Sequence, residues 1–177
     1  NGASDIWLYG TRRSTRNRLT VHPYTEATPV WLASGEAVLY FSDKERRPDI
    51  FMKSLDESEG PSLVLGTEGL EFPMDVSPDG GLLLYATDES GTLGQSMDLW
   101  VLEMDRPEEK RPFVTAPESQ YHARFSPDGR WVAYTSVETG RPEVWLKPFP
   151  GPGRSIQIST EGGRLPRWAP DGSTLYY

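Results

Sequence analysis

The sequence predicts an all-β propeller built from four repeats of a four-stranded antiparallel blade, and three observations predict it. First, Asp5-Ile6-Trp7 returns as Asp49-Ile50-Phe51, Asp98-Leu99-Trp100 and Glu143-Val144-Trp145, at steps of 44, 49 and 45 residues. Second, a turn marker runs out of phase with the first. It reads Ser77-Pro78-Asp79-Gly80, Ser126-Pro127-Asp128-Gly129 and Ala169-Pro170-Asp171-Gly172, with a degenerate copy at Ala33-Ser34-Gly35. Third, an aliphatic residue (Val38, Leu83, Val132, Leu175) lies three positions beyond each marker glycine, and a tyrosine (Tyr40, Tyr85, Tyr134, Tyr177) lies five beyond. Columns in register at one period are the mark of a repeat architecture, and this period admits helical solenoids or propeller blades.

Local chemistry chooses the blade. The runs Ala37–Ser42, Leu82–Thr87 and Trp131–Ser136 are short, apolar, rich in aromatic and β-branched residues, and bounded by Gly, Asp and Pro. Such runs are strands and far too short for helices. In the second repeat the four strands are expected at Met74–Ser77, Leu82–Thr87, Leu99–Glu103 and Arg111–Thr115. In Ser-Pro-Asp-Gly the proline presets φ, the aspartate bonds the backbone two residues on, and the glycine accepts φ > 0, which closes the hairpin between first and second strands. The second strands are apolar at consecutive positions because a blade is covered on both faces. The tract Pro148–Gly153 falls where other repeats place the turn before the last strand, so it reads as a long hairpin loop. The whole of 1–177 is then one propeller domain or fragment, and Trp7, Trp31, Trp100, Trp131, Trp145 and Trp168 are expected between blades.

The two ends are half-blades. A third strand (Asp5–Tyr9) and a fourth (Arg18–Val21) open the chain, and a first (Arg167–Ala169) and a second (Thr174–Tyr177) end it. Together they make one blade, through closure by the termini, through a homodimer sharing blades, or as an arc of a larger ring; the second and third are expected above the first.

A net charge of −8 and pI near 4.8 argue against nucleic acid, which demands a basic stripe. The one basic cluster, Arg12, Arg13, Arg16 and Arg18, reads as a solvated turn. No run approaches the roughly 18 apolar residues of a membrane span, so no membrane insertion is expected. There is no cysteine, and no phosphate loop or dinucleotide fingerprint, so no cofactor and no metal are expected. Asp79, Asp128 and Asp171 recur with every turn and read as turn architecture rather than ligands.

On the Pro-Asp-Gly turns, the Asp-Ile-Trp strands and the strand-ending Arg18-Leu19-Thr20 and Ile156–Thr160, the chain resembles the TolB-like, WD-repeat-like propellers of bacteria. The stretch Phe125–Pro152 resembles propellers attached to bacterial serine/threonine protein kinases. The resemblance implies a non-catalytic propeller, usually of six or more blades, that binds proteins or ligands on one face as an extracytoplasmic or periplasmic scaffold or sensor. The propellers of prolyl oligopeptidases look similar too, so the gating propeller of a larger hydrolase is the alternative. No G-x-S-x-G elbow occurs, and no enzyme is expected from this chain.

Binding is expected from loops at one mouth of the channel. The loops entering the first strands carry His22, Glu26, Glu71, Phe72, Tyr121, His122 and Arg164. Those between second and third strands carry Lys44, Glu45, Arg46, Arg47, Glu89, Gln95 and Arg141. Exposed aromatics amid charges are what binding hot spots contain. His22 and His122 are placed in equivalent loops. Asp75, Arg124 and Arg167, at matching positions of successive first strands, are expected to cluster near the channel, with an Asp75–Arg124 ion pair across a blade interface. The candidate binding residues are thus Glu26, Arg46, Phe72, Asp75, Tyr121, His122, Arg124, Arg164 and Arg167, for a protein or small-ligand partner.

Overall fold

A computed structural model describes residues 3–56, 59–91 and 96–177, and these contain sixteen strands and no helix. β1 (Trp7–Gly10) and β2 (Thr15–Arg18) pair as a half-blade. Three complete blades follow, each with its strands in chain order. The first holds β3 (Glu26–Trp31), β4 (Ala37–Ser42), β5 (Asp49–Ser54) and β6 (Ser62–Leu65). The second holds β7 (Leu70–Val76), β8 (Leu82–Asp88), β9 (Asp98–Glu103) and β10 (Arg106–Val114). The third holds β11 (Gln120–Phe125), β12 (Trp131–Ser136), β13 (Glu143–Pro148) and β14 (Ile156–Gln157). β15 (Arg167–Trp168) and β16 (Leu175–Tyr176) form the last half-blade. The two half-blades are separate two-stranded sheets, so the termini do not meet in one sheet.

The marker turn is held by its own side chains. In the second blade the Gly80 N–H returns to the Ser77 carbonyl at 2.8 Å, the Leu82 N–H donates to Ser77 Oγ at 2.9 Å, and the Gly81 N–H donates to Asp79 Oδ1 at 3.1 Å. The third blade repeats this through Ser126, Asp128 and Gly129. Hydrogen bonds to the ionised form hold these carboxyls below their usual range, Asp79 chiefly through Ser77 and Asp128, at about 2, chiefly through Ser126. The marker glycines all have positive φ, from 68° to 80°, the region where a Cβ is strained. They also stack blade on blade: a Cβ at Gly129 would meet Pro78 at 3.7 Å, and one at Gly172 would meet Pro127 at 3.6 Å.

The core lies between blades. One cluster joins Val30, Leu39 and Ile50 of the first blade to Val76, Leu83 and Tyr85 of the second. Another joins Leu84, Leu99 and Val101 to Phe125, Val132 and Tyr134 of the third. A third joins Ile6 and Leu19 to Val38, Tyr40 and Phe51. Every complete blade sets its buried tyrosine against a third-strand aromatic: Tyr40 opposite Phe51, Tyr85 opposite Trp100, Tyr134 opposite Trp145.

Three expectations change. The tryptophans are not the buried aromatics: Trp7 and Trp31 are 47% and 52% exposed, and the other four are half-buried, while Tyr40, Tyr85 and Tyr134 are at most 2% exposed. Tyrosine fits the slot because its hydroxyl can reach a partner at the edge, as Tyr134 reaches Ser155 at 2.8 Å. The strand expected at Arg18–Val21 is β2, three residues earlier, and the backbone after it turns so that Leu19 N–H meets the Ile6 carbonyl. Arg16 and Arg18 therefore sit on a strand, not in a turn, with the Arg16 guanidinium 4.2 Å over the Trp7 ring.

Candidate functional site

The first strand of each complete blade carries a bulge at the same place. In the first blade the register jumps from Ala27↔Phe41 to Val30↔Leu39, so Thr28 and Pro29 together face Tyr40. In the third it jumps from Tyr121↔Thr135 to Arg124↔Ala133, so His122 and Ala123 face Tyr134. In the second, Met74 is the extra residue beside Pro73↔Tyr85. A bulge bends the strand and re-aims its side chains. Thr28 and His122 take φ of 51° and 55° there, and Leu165, the matching residue before β15, takes 55°. Positive φ is costly for residues with a Cβ and most of all for a β-branched one. The second blade holds Pro73 at that position, whose ring forbids it.

The bulges of three blades converge on one cavity of about 350 Å3, lined by Thr28, Pro29, Val30, Phe72, Pro73, Met74, Tyr121, His122 and Arg124. Tyr121 meets His122 edge to face at 4.7 Å between centroids. A second cavity of about 260 Å3 shares Arg124 and adds Asp75, Arg167 and Trp168. Arg124 is thus the wall between the two.

The expected Asp75–Arg124 ion pair is replaced by a crossed clasp. No N···O distance between the two falls within 4.0 Å. Instead Asp75 Oδ2 accepts the Phe125 N–H at 2.8 Å, and Arg124 Nη1 donates to the Met74 carbonyl as well as to the Ala123 carbonyl at 2.8 Å. Each side chain reaches the other strand's backbone because β7 and β11 are the edge strands of their sheets: the Phe125 N–H points away from β12, and the Met74 carbonyl lies at the bulge of β7. Burial pushes the Asp75 carboxyl up, against the pull of Arg124 and the Phe125 N–H. Burial, then Arg124, Arg167 and Arg164, push the His122 imidazole down, which keeps it neutral at pH 7.

The structure therefore brings Phe72, Tyr121, His122 and Arg124 together, sets Asp75 and Arg167 beside them, and places Arg164 near enough to act on His122. Phe72, Tyr121 and His122 lie on strands and not in entering loops, and His22, four residues before β3, is not the counterpart of His122. Glu26 and Glu71, expected in a binding loop, are strand residues 2% and 1% exposed. Thr67 Oγ1 donates to Glu71, and Thr20 hydrogen-bonds Glu26; burial raises both carboxyls. They tie the end of one blade to the start of the next. Arg46 lies apart, on a shallow hollow with Glu45, Thr67 and Glu68, and Gln95 lies outside the described residues. Among the described residues no group of three or more His, Asp or Glu could hold a metal ion. The sequence reading missed Thr28, Pro29, Pro73, Met74 and Leu165. A signal was there: Thr28-Pro29, Phe72-Pro73 and Leu165-Pro166 put proline inside or against a first strand, and proline in a strand marks a bulge.

No family model matches the chain. It is 26% identical over 136 residues to the Tol-Pal system protein TolB of Helicobacter pylori, covering 76% of this chain and 32% of that protein. It is 42% identical over 84 residues to the putative tricorn protease homolog 2 of Streptomyces coelicolor, covering 44% of this chain and 7% of that one. The chain thus spans about a third of the first of these relatives and far less of the second. Among solved structures it superposes on TolB from Acinetobacter baumannii with a TM-score of 0.81 at 17% identity, over 97% of this chain and 42% of the other. For the putative TolB from Agrobacterium tumefaciens the TM-score is 0.80 at 22% identity, over 99% and 65%. A chain of a nidogen/laminin complex gives 0.74 at 14% identity, over 98% and 66%. The fold is that of the TolB-like β-propellers, blade for blade along nearly the whole chain.

Proposed function

We propose that this chain is a non-catalytic binding propeller, a scaffold or sensor module, that takes a protein or ligand at the channel mouth built by the bulged first strands. The observation that carries the reading is the convergence of three bulges, two of them at positive φ, on one cavity lined by Phe72, Tyr121 and His122. Backbone strain of order 1–3 kcal/mol per residue persists where the surrounding structure over-determines it, and it gathers at binding sites. The fold supports the same reading, since TolB and a chain of a nidogen/laminin complex share it. An extracytoplasmic location and a place beside a kinase domain are the finer forms of the proposal, resting on the TolB likeness and on the motif at Phe125–Pro152.

The test is capture of partners from the native host's extract. Wild type and an Arg46→Ala control are expected to retain the same partner, and Phe72→Asp and Tyr121→Ala to lose it. Equal retention by all four would place binding elsewhere. The likeness to the tricorn protease homolog favours a second reading, the gating propeller of a hydrolase; a hydrolase domain in the same reading frame would move the conclusion there.

Blade sharing between two copies belongs to the proposal. In complete blades the tyrosine of the second strand lies opposite the aromatic of the third, and the same rule sets Tyr177 of one copy opposite Trp7 of another. Trp7, Tyr9, Tyr176 and Tyr177 are all about half exposed or more, and an open strand edge invites pairing.

A further inference from the structure

The bulge cavity has a chemistry of its own, and reading it rests on the binding face proposed above. The chain carries a net charge of −8, yet the charged side chain lining this cavity is a cation, Arg124. Both of Arg124's hydrogen bonds run through Nη1. Among the described residues its Nε and Nη2 donors have no protein acceptor, and neither is among the buried unpartnered atoms. They remain open to a ligand. The nearby carboxylate cannot close that opening, because Asp75 is turned to the Phe125 N–H.

His122 adds a second donor. Its Nδ1 is buried without a partner. Its Nε2 is not among the buried unpartnered atoms, so it is the nitrogen that a ligand can reach. With the proton on Nε2, the ring meets a ligand carboxylate as a donor. Around these donors the cavity is apolar: Phe72, Pro73, Met74, Val30 and the Tyr121 ring. Arg164 and Arg167 add positive field at His122.

We propose that this cavity binds a carboxylate carried on an apolar group, with Arg124 and His122 taking the carboxylate and Phe72, Pro73 and Tyr121 covering the apolar part. A guanidinium edge meets a planar carboxylate with parallel N–H donors, the match that gives arginine its preference for such groups. The volume of about 350 Å3 sits at the small end of ligand pockets, enough for one aromatic or branched side chain with its acid. Such a group is supplied by a peptide's C-terminal residue or by a free aromatic acid.

Calorimetric titration of the whole chain separates these. The probes are acetyl-Gly-Gly-Phe as free acid, the same peptide as C-terminal amide, and phenylacetate. The free acid is expected to bind about ten- to hundred-fold more tightly than the amide, the worth of a charge-assisted hydrogen bond. If phenylacetate matches the peptide acid, the natural ligand is a small acid; if it is ten-fold weaker or more, the ligand is a chain end. Both support the proposal. His122→Gly, which keeps the positive φ without strain, is expected to weaken the acid several-fold and leave the amide unchanged; Arg124→Gln, which removes the charge, is expected to bring the acid down to the amide. Equal binding of acid and amide overturns the proposal, as does no binding at millimolar concentration. If partner capture still depends on Phe72 and Tyr121 in that case, the binding face stands and only the ligand chemistry falls.

Discussion

Cutting the clasp between the second and third blades is the most direct test of how the channel wall is held. Asp75→Ala removes the acceptor of the Phe125 N–H and leaves Arg124 without its nearby counter-charge. A hydrogen bond to a charged group contributes about 1.5–3 kcal/mol. Burial of the carboxylate, which raises its pKa, works against that figure, so the expected loss is about 2 kcal/mol. For a chain of 177 residues this is a fall in Tm of roughly 4–8 °C. Asp75→Asn keeps an oxygen for the Phe125 N–H and drops the buried charge, and it is expected to cost less than about 1 kcal/mol. Arg124→Ala frees the Met74 carbonyl and is expected to cost a similar 2 kcal/mol. The two groups belong to one clasp, so the double variant is expected to lose less than the sum, with a coupling of about 0.5–1.5 kcal/mol. Urea unfolding of the wild type and the four variants, followed by far-ultraviolet circular dichroism, gives every value. Additive losses, or an Asp75→Ala change below 0.5 kcal/mol, would refute the clasp as an inter-blade tie.

Gly129→Ala is expected to destabilise by about 1–2 kcal/mol through φ alone, since its Cβ would meet Pro78 at an ordinary 3.7 Å; a neutral change in urea midpoint would contradict the turn geometry. Burial raises the carboxyls of Glu26, Asp49, Glu71, Asp75 and Asp98, so the folded chain binds those protons more readily and stability rises as pH falls from neutral through their folded values. Hydrogen bonds lower Asp79, Asp128 and Asp171, whose contribution is lost as pH falls below the unfolded value near 4; calorimetric Tm is expected to peak between about pH 4 and 6, and a maximum at pH 7 or above would contradict these shifts. Light scattering of the 177-residue chain is expected to show concentration-dependent dimers that Trp7→Glu abolishes; a strict monomer at every concentration would exclude blade sharing.

The blade itself was legible because its demands are local and repeated. A Ser-Pro-Asp-Gly turn works through residues no more than five apart, so its chemistry can be read from the letters. The second strands kept the expected bounds, Ala37–Ser42 and Trp131–Ser136 unchanged. What stayed hidden depends on the neighbouring blade. Nothing in the segment around Asp75 says that its carboxylate reaches the backbone of Phe125, fifty residues on, and pairing by charge alone suggested the wrong partner. The tryptophans misled for a related reason: aromatic area says that a ring is wanted near the blade but not which face has room for it. Trp31 ends a first strand on its exposed side, while the smaller Tyr40 takes the enclosed place opposite the bulge.

The same contrast separates architecture from function within the repeat. Where a column must perform one task in every blade, its chemistry recurs: glycine at 35, 80, 129 and 172, tyrosine at 40, 85 and 134. The register shift recurs in the three complete blades, but the residue at its head does not, running Thr28, Pro73 and His122, with positive φ at Thr28 and His122 and not at Pro73; two places on, the chain reads Val30, Asp75 and Arg124. A recurring bulge with changing side chains is what results when the fold needs the bend and leaves the lining free. The second and third blades use that freedom for a crossed clasp, and the third adds a histidine that lines an apolar hollow with its Nδ1 buried. Repetition along the chain therefore locates the scaffold, and the bulge, where the register shift recurs and the residues do not, carries the proposed site.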